Sequence, residues 1–334
     1  MTTPKPKNYV FPQQSAVQLA VERQKDLRDN VHRTLKLDIP KVKDYFAPVF
    51  PGQVVGIIGQ SSSGKSLFLK QWVEKHALQL AADGRKEVPV IIHLEDTIEE
   101  VIWQEIANKA GVNISQLATG EGLEGVNMES VCAETAGQQI IHIAYSLTYP
   151  NEERCLSLKF IKQCIEYALK LIAKPDNLEP RVSMLALDYL QILAENDEAI
   201  KGVNDQRRLR VRGDMYGLRG MAQYFNAPTV VAIQARQTLA YQYSKDLPIP
   251  GLYDGEESSA LGQNLDRILS VGMPKMWLRP GASFHWKGSS IQVKDNHQFL
   301  WVVKQRGGLP GGKCFLLWND FQKGCVSSVT PDAD

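Results

Sequence analysis

Residues 59–66 read GQSSSGKS, and the spacing of Gly59, Gly64, Lys65 and Ser66 fits the phosphate-loop pattern G-x-x-x-x-G-K-[ST]. The chemistry asks for these residue types. Glycines let backbone N–H groups curl around phosphate oxygens, and Gln60, Ser61, Ser62 and Ser63 between them supply further amides. A lysine ammonium neutralises β- and γ-phosphates, and a hydroxyl at the start of a helix ligates Mg2+. The flanks agree. VVGII leads in as a strand, and SLFLKQWVEKHALQLA leads out as a helix with Leu69, Trp72, Val73, His76 and Leu80 on one face. ATP and Mg2+ are the expected ligands.

Three polar residues end other apolar runs. Asp188 closes MLALD, where it fits either a second contact to magnesium or the cap of a turn. Glu95 closes VPVIIHLE and fits a group that polarises an attacking water, or a solvated strand end. Its neighbour Asp96, with Glu99 three residues on, reads as a capping box for the next helix. Gln234 ends PTVVAIQ, as a γ-phosphate contact or as an ordinary polar terminus.

A different chemistry sits near the C-terminus. In WVVKQRGGLPGGKCFLLW, Lys304 and Arg306 alternate, so on a strand both point to one face. Two cations side by side repel unless an anion lies opposite. A neighbouring subunit's nucleotide would serve, making Arg306 a candidate arginine finger; a solvated hairpin is the alternative. The arginines of QRRLRVR (206–212) spread around a helix and fit a solvated or subunit-contact role better than a DNA-binding face.

These residues need a scaffold. Strand-like runs at 53–59, 88–95, 138–145, 182–190, 228–234, 267–273 and 299–305 alternate with helical patterns at 66–82, 98–110, 127–136, 156–173 and 205–225. That order predicts an α/β fold with a mainly parallel central sheet flanked by helices. Glycine-bearing turns after Phe284 predict hairpins at the sheet edge. Residues 1–14 read as a flexible arm, 15–35 as a helix with Val17, Ala20, Val21, Leu27, Val31 and Leu35 in an imperfect stripe that would lie on the chain's own core or on another subunit, and 36–330 as the α/β nucleotide-binding domain. The irregular segments 194–204 and 236–262 follow the carboxyl ends of strands, the edge where open α/β sheets bind ligands.

Bulk properties narrow the class. A net charge of +1 excludes a protein that coats nucleic acid or an anionic membrane with its whole surface. Five scattered cysteines, without a CxxC pair, point to a reducing compartment and no structural zinc. No apolar stretch approaches the ~20 residues of a spanning helix, so the expectation is a cytoplasmic protein with no membrane contact.

Together these pieces resemble the ATPase domain of bacterial replicative helicases of the DnaB type, within the RecA-like P-loop class. LDYLQIL is similar to that family's strand bearing the magnesium aspartate. LRGMAQYFNAPTVVAIQ (218–234) resembles its helix, Asn-x-Pro turn and sensor strand, SSALGQNLD (258–266) the segment after it, and KQRGG its KQRNG hairpin. The resemblance implies that Lys65, Ser66, Glu95 and Asp188 carry nucleotide and hydrolysis, that Gln234 senses γ-phosphate, and that Lys304 and Arg306 act on a neighbour's ATP. It also implies a homo-hexameric ring whose central loops grip single-stranded DNA, here 194–204 and 236–257. The N-terminal helix would correspond to the family's linker helix, which docks on the next subunit.

Departures shape the expectation. The family's separate N-terminal helical domain is absent from this sequence, as in a chain pared down to the motor. That suits a phage, plasmid or other mobile element, with replication or mobile-element proteins as partners. Gly262 and Asn264 stand where the family carries acidic residues. Beyond Arg236, the loop 236–257 offers Lys245 against Asp246, Asp254, Glu256 and Glu257, so DNA contact would fall to Arg236, Lys201 and Lys245 with backbone amides. The rival readings are a nucleotide-switched assembly or regulatory ATPase whose acidic loop binds proteins, and a RecA-like recombinase, against which KQRGG speaks.

Overall fold

The apolar runs become strands buried on both faces. In β1 (Val54–Gly59), β4 (Val182–Asp188) and β6 (Arg267–Gly272) every residue is buried, which only a sheet covered on both sides allows. The computed structural model describes residues 12–29, 33–148, 156–173, 179–190, 193, 207–235, 264–279, 281–286, 289–307, 311–320 and 325–328. β2 (Val88–Thr97), β3 (Ile141–Tyr145), β5 (Thr229–Gln234), β9 (His297–Gln305), β10 (Lys313–Asp320) and β11 (Cys325–Ser328) complete a nine-stranded sheet of order β11-β10-β9-β6-β1-β5-β4-β2-β3. From β6 to β3 the pairing is parallel. The last three strands add antiparallel, as the glycine-bearing turns predict. β7 (Ser283–Trp286) and β8 (Ser289–Gln292) form a separate hairpin.

Alternation along β1 divides the core. Val55 and Ile57 pack with Leu69, Trp72 and Val73 of α2 (Lys65–Ala82) and with the 35–49 segment. Val54 and Ile58 share the other face with Ile161 and Ile165 of α6 (Leu158–Ile172), and with Met215 and Leu218 of α7 (Arg207–Tyr224). Among the described residues, no helix is long and apolar enough to cross a membrane.

Two local expectations change. The N-terminal helix, α1, covers Gln13–Asp29, and Leu35 instead forms an antiparallel bridge with Val49 and is fully buried. A leucine that can reach the sheet's core gains more there than on an exposed helix. The capping box is also displaced. β2 runs on to Thr97, so α3 (Ile98–Ala110) is capped by Thr97 and Glu100, not by Asp96 and Glu99. Glu99 instead accepts hydrogen bonds from Ser146 Oγ at 2.6 Å, Leu147 N at 3.0 Å and Thr148 N at 3.2 Å. Those donors hold its carboxyl down to about 2. Two further helices follow, α4 (Ile114–Thr119), which the sequence pattern did not suggest, and α5 (Met128–Gly137).

Candidate active site

Parallel strands deliver their carboxyl ends to one edge. Gly59 of β1 lies level with Gln234 of β5, and Asp188 of β4 lies level with His93 of β2, two residues before Glu95. The sheet therefore brings the phosphate loop, Glu95, Asp188 and Gln234 to the same side.

The loop is braced from elements remote in sequence. Gly64 has φ +82°, and a Cβ there would lie 2.7 Å from Gln298 Nε2 and 2.9 Å from Met273 Cε, so only glycine fits. Gln298 Nε2 donates to Ser63 O at 2.8 Å, and its Oε1 accepts from Asn319 Nδ2 at 3.3 Å. Trp277 Nε1 donates to Gln60 Oε1 at 3.1 Å. Gln298, Asn319 and Trp277 escaped sequence reasoning. A signal existed for two of them: Gln298 and Asn319 are polar residues in apolar strands, and both are fully buried. Ser63 is buried, while Ser61 and Ser62 face outward, Ser62 at φ 60°.

Lys65 Nζ donates to Gln60 O at 2.6 Å and to Gln234 Oε1 at 3.2 Å. The side chain is thus folded over the cradle it would serve. Burial lowers its ammonium to about 8, against the opposing pull of Asp188 and Glu95. A phosphate would raise it again, so ATP binding must take up a proton once the free protein's Lys65 is neutral. ATP affinity is expected to hold between pH 7 and 8, then weaken by up to about tenfold per pH unit. Titration with a fluorescent ATP analogue from pH 7 to 10 checks this; a flat affinity contradicts it.

Asp188 is buried, hydrogen-bonds the Ser66 hydroxyl, and has an Oδ1 without a hydrogen-bond partner. Burial raises its carboxyl, while Ser66, Lys70 and Lys65 oppose the rise. A dry carboxylate with one bare oxygen beside a hydroxyl fits a divalent cation. Mg2+ commonly keeps several waters and takes only one or two carboxylates, so it does not need the cluster of three or more ligands that is lacking among the described residues.

Glu95 is exposed, and partial burial followed by Asp96 and Asp188 raises its carboxyl, with Lys65 opposing. Asp96 faces Lys70 of α2, with Lys70 Nζ 3.9 Å from Asp96 Oδ2. An open carboxyl above its ordinary range, next to the cradle, is suited to accept a proton from water.

Lys304 and Arg306 lie elsewhere. β9 runs antiparallel to β6 and pairs Gln305 with Arg267, which places them at the amino end of β6 and β1. The length of β1 separates that edge from the phosphate loop, about 17 Å at strand rise. Arg306 falls one residue past β9, in a turn, so the two cations do not alternate on one strand as expected. They converge all the same: Lys304 Nζ donates to Leu265 O at 2.8 Å and Arg306 Nη1 to Asp266 Oδ1 at 3.4 Å. Among the described residues, Asp266 is the carboxylate that meets Arg306. Lys201, Arg236, Lys245 and the segments 194–204 and 236–257 lie outside the described residues.

The profile of the DnaB-like helicase C terminal domain matches residues 40–323. Among solved structures, the chain is similar to an ATPase domain at 18% identity and TM-score 0.64, over 84% of this chain and 86% of that one. It is similar at the same identity and TM-score to a DnaB-like replicative helicase described with its interactions with primase, spanning 84% of its own length and 58% of that chain. No curated protein sequence matches it.

Proposed function

Because the chain belongs to the DnaB-like helicase C-terminal domain family, we propose that it is the ATP-hydrolysing motor of a ring that moves along single-stranded DNA. The observation that supports this reading is that the candidate site residues fall at two opposite edges of the sheet. The phosphate loop, Glu95, Asp188 and Gln234 share one edge of the sheet, and Lys304 and Arg306 occupy the other. A head-to-tail contact between copies brings the second edge of one subunit to the first edge of the next, and rings close by such contacts. Six copies are the proposed number.

In this mechanism the amides of 59–64 receive the phosphates, and Lys65 leaves Gln60 O and Gln234 to meet them. Ser66 and Asp188 are the residues that would hold Mg2+, which when bound neutralises charge on the β- and γ-phosphates. Gln234, released by Lys65, turns to the γ-phosphate and its water. Glu95 orients that water and takes its proton as it attacks in line. The neighbour's Arg306 and Lys304 balance the charge that develops on the transferred phosphoryl. Loops 194–204 and 236–257, with Lys201, Arg236 and Lys245, carry the grip on DNA. α1 acts as the linker: Arg23 ties it to Pro51 O at 2.8 Å, and Val17, Leu19 and Val21 are exposed for a neighbouring copy.

Steady-state ATP turnover with and without single-stranded DNA tests the reading. A several-fold rise is expected, with displacement of a strand from a forked duplex. Turnover indifferent to DNA sinks the motor. It would favour a nucleotide-switched assembly ATPase, to which the acidic residues of 236–257 are better suited.

A further inference from the structure

We propose that the cleft between α2 and α3 is a binding site for a small aliphatic amine cation, held between Glu74 of one helix and Glu105 of the other. The site stands apart from the reading of the phosphate loop and does not depend on it.

The two helices enclose a cavity of about 320 Å3. Ser66, Lys70 and Glu74 recur at every fourth residue of α2, so they line it as one stripe, with Leu67 beside them. Gln104, Glu105 and Asn108 of α3 close the opposite side. The volume is at the lower end of the range for small-molecule sites and would hold on the order of ten waters.

Glu105 carries the inference. It is only 6% exposed, yet it makes no hydrogen bond or ion pair among the described residues. Lys70 and Lys109 act on it through space alone. Each of those lysines lies nearer another carboxylate: Lys70 Nζ is 3.9 Å from Asp96 Oδ2, and Lys109 Nζ is 3.7 Å from Glu134 Oε1. Glu74 is in the same state, without a hydrogen bond or ion pair among the described residues. Burial and then Glu105 push its carboxyl up to about 7, with Lys109 and Lys70 opposing. Folded chains keep buried carboxylates paired or hydrogen-bonded, because a dry and unpaired one is costly. Two of them facing one cavity, one from each wall, call for donors from outside the chain.

The lining selects the ligand. Glu74 and Glu105 against Lys70 leave one negative charge in excess, so the occupant is a cation. A divalent ion would face the Lys70 ammonium and fill little of the volume. A primary ammonium offers three N–H donors, enough for both carboxylates at once, and its carbon stem can lie along Leu67. Gln104 Nε2 donates to Asn108 Oδ1 at 2.8 Å, which leaves Gln104 Oε1 to accept from a second ammonium. The placement gives binding a consequence. α2 starts at the phosphate loop and α3 starts three residues after Glu95, so an amine tied to both helices couples two parts of the candidate active site.

Titration calorimetry of putrescine into the ATP-free oligomer, at matched ionic strength, tests the site. Saturable binding at one site per chain is expected. Glu105→Gln keeps the size of the side chain and removes a charge that the fold leaves uncompensated. It is expected to weaken binding about ten- to a hundredfold, the scale of a charge-assisted hydrogen bond. Gln104→Trp fills the cavity but keeps both carboxylates, and is expected to abolish binding. The amine favours ionised Glu74, which Lys70 of α2 and Glu105 and Lys109 of α3 face. Affinity should therefore fall as pH drops below about 7, by up to about tenfold per pH unit, with a proton released on binding. Absence of saturable binding overturns the proposal. Equal binding to wild type and Glu105→Gln overturns it as a general salt effect, and Ca2+ displacing putrescine at lower concentration overturns it in favour of a metal site. If Glu105→Gln does not fold, Gln104→Trp decides: undiminished binding there overturns the site.

Discussion

Arg306→Ala is expected to reduce ATP turnover by about 10³-fold or more while leaving ATP affinity nearly unchanged. The asymmetry follows from the topology. Arg306 lies at the amino end of β6, and the phosphate loop lies beyond the carboxyl end of β1, its parallel neighbour. Within one chain the guanidinium is remote from the cradle, so ground-state binding by that cradle does not include it. Its charge matters when the phosphoryl group of a neighbour's ATP passes between oxygens, and a preorganised cation is worth most there. The fold should survive, because Arg306 is half exposed and Asp266 keeps Arg219 and Val54 N as partners. Single-turnover kinetics and nucleotide titration separate the two quantities. A variant that binds ATP poorly yet turns it over normally would contradict the assignment.

Glu95→Gln is expected to lower turnover by about 10²- to 10⁴-fold, the range for loss of a positioned general base, again with ATP bound. Glutamine can still orient a water but cannot take its proton. The pH profile carries the sign. Glu95 is raised above an ordinary carboxyl by burial, Asp96 and Asp188. As pH falls through that raised value the base is protonated first, so wild-type turnover should decline on the acid side above the usual glutamate range. The residual turnover of Glu95→Gln should lack that limb. The same acid limb in both proteins would assign it to another group.

How far the sequence carried depends on how local each feature is. The phosphate loop is eight contiguous residues between a strand and a helix, and it was legible in full. The common placement of Asp188, Glu95 and Gln234 was legible too, because in a parallel sheet the last polar residue of each buried run arrives at one edge. Features made by pairing across the chain were not legible. Gln298 braces Ser63 from 235 residues away, and although a polar residue in an apolar strand hints at a buried partner, nothing near it names Ser63. The alternation of Lys304 and Arg306 was visible, but their distance from the loop depends on β9 joining β6 antiparallel, which is a fact of strand order. Asp266 was read only as part of a linking segment; Arg219, Arg306 and Val54 N meet on it only once the chain is folded. The capping box failed for a smaller reason. Two acidic residues at the right spacing suited a helix start after Asp96, but β2 kept its ladder to Thr97 and moved the start by one residue.

The central claim is that each ATP site is completed by a second copy, and mixing two inactive variants tests it most directly. Lys65→Ala removes the phosphate loop's cation and keeps the hairpin; Arg306→Ala does the reverse. In a ring assembled from equal amounts of both, an intact loop meets an intact neighbouring hairpin at about a quarter of the head-to-tail contacts. ATP turnover of the mixture should therefore rise to about a quarter of wild type, far above either variant alone. A mixture no more active than the average of its two components would contradict a site shared between subunits.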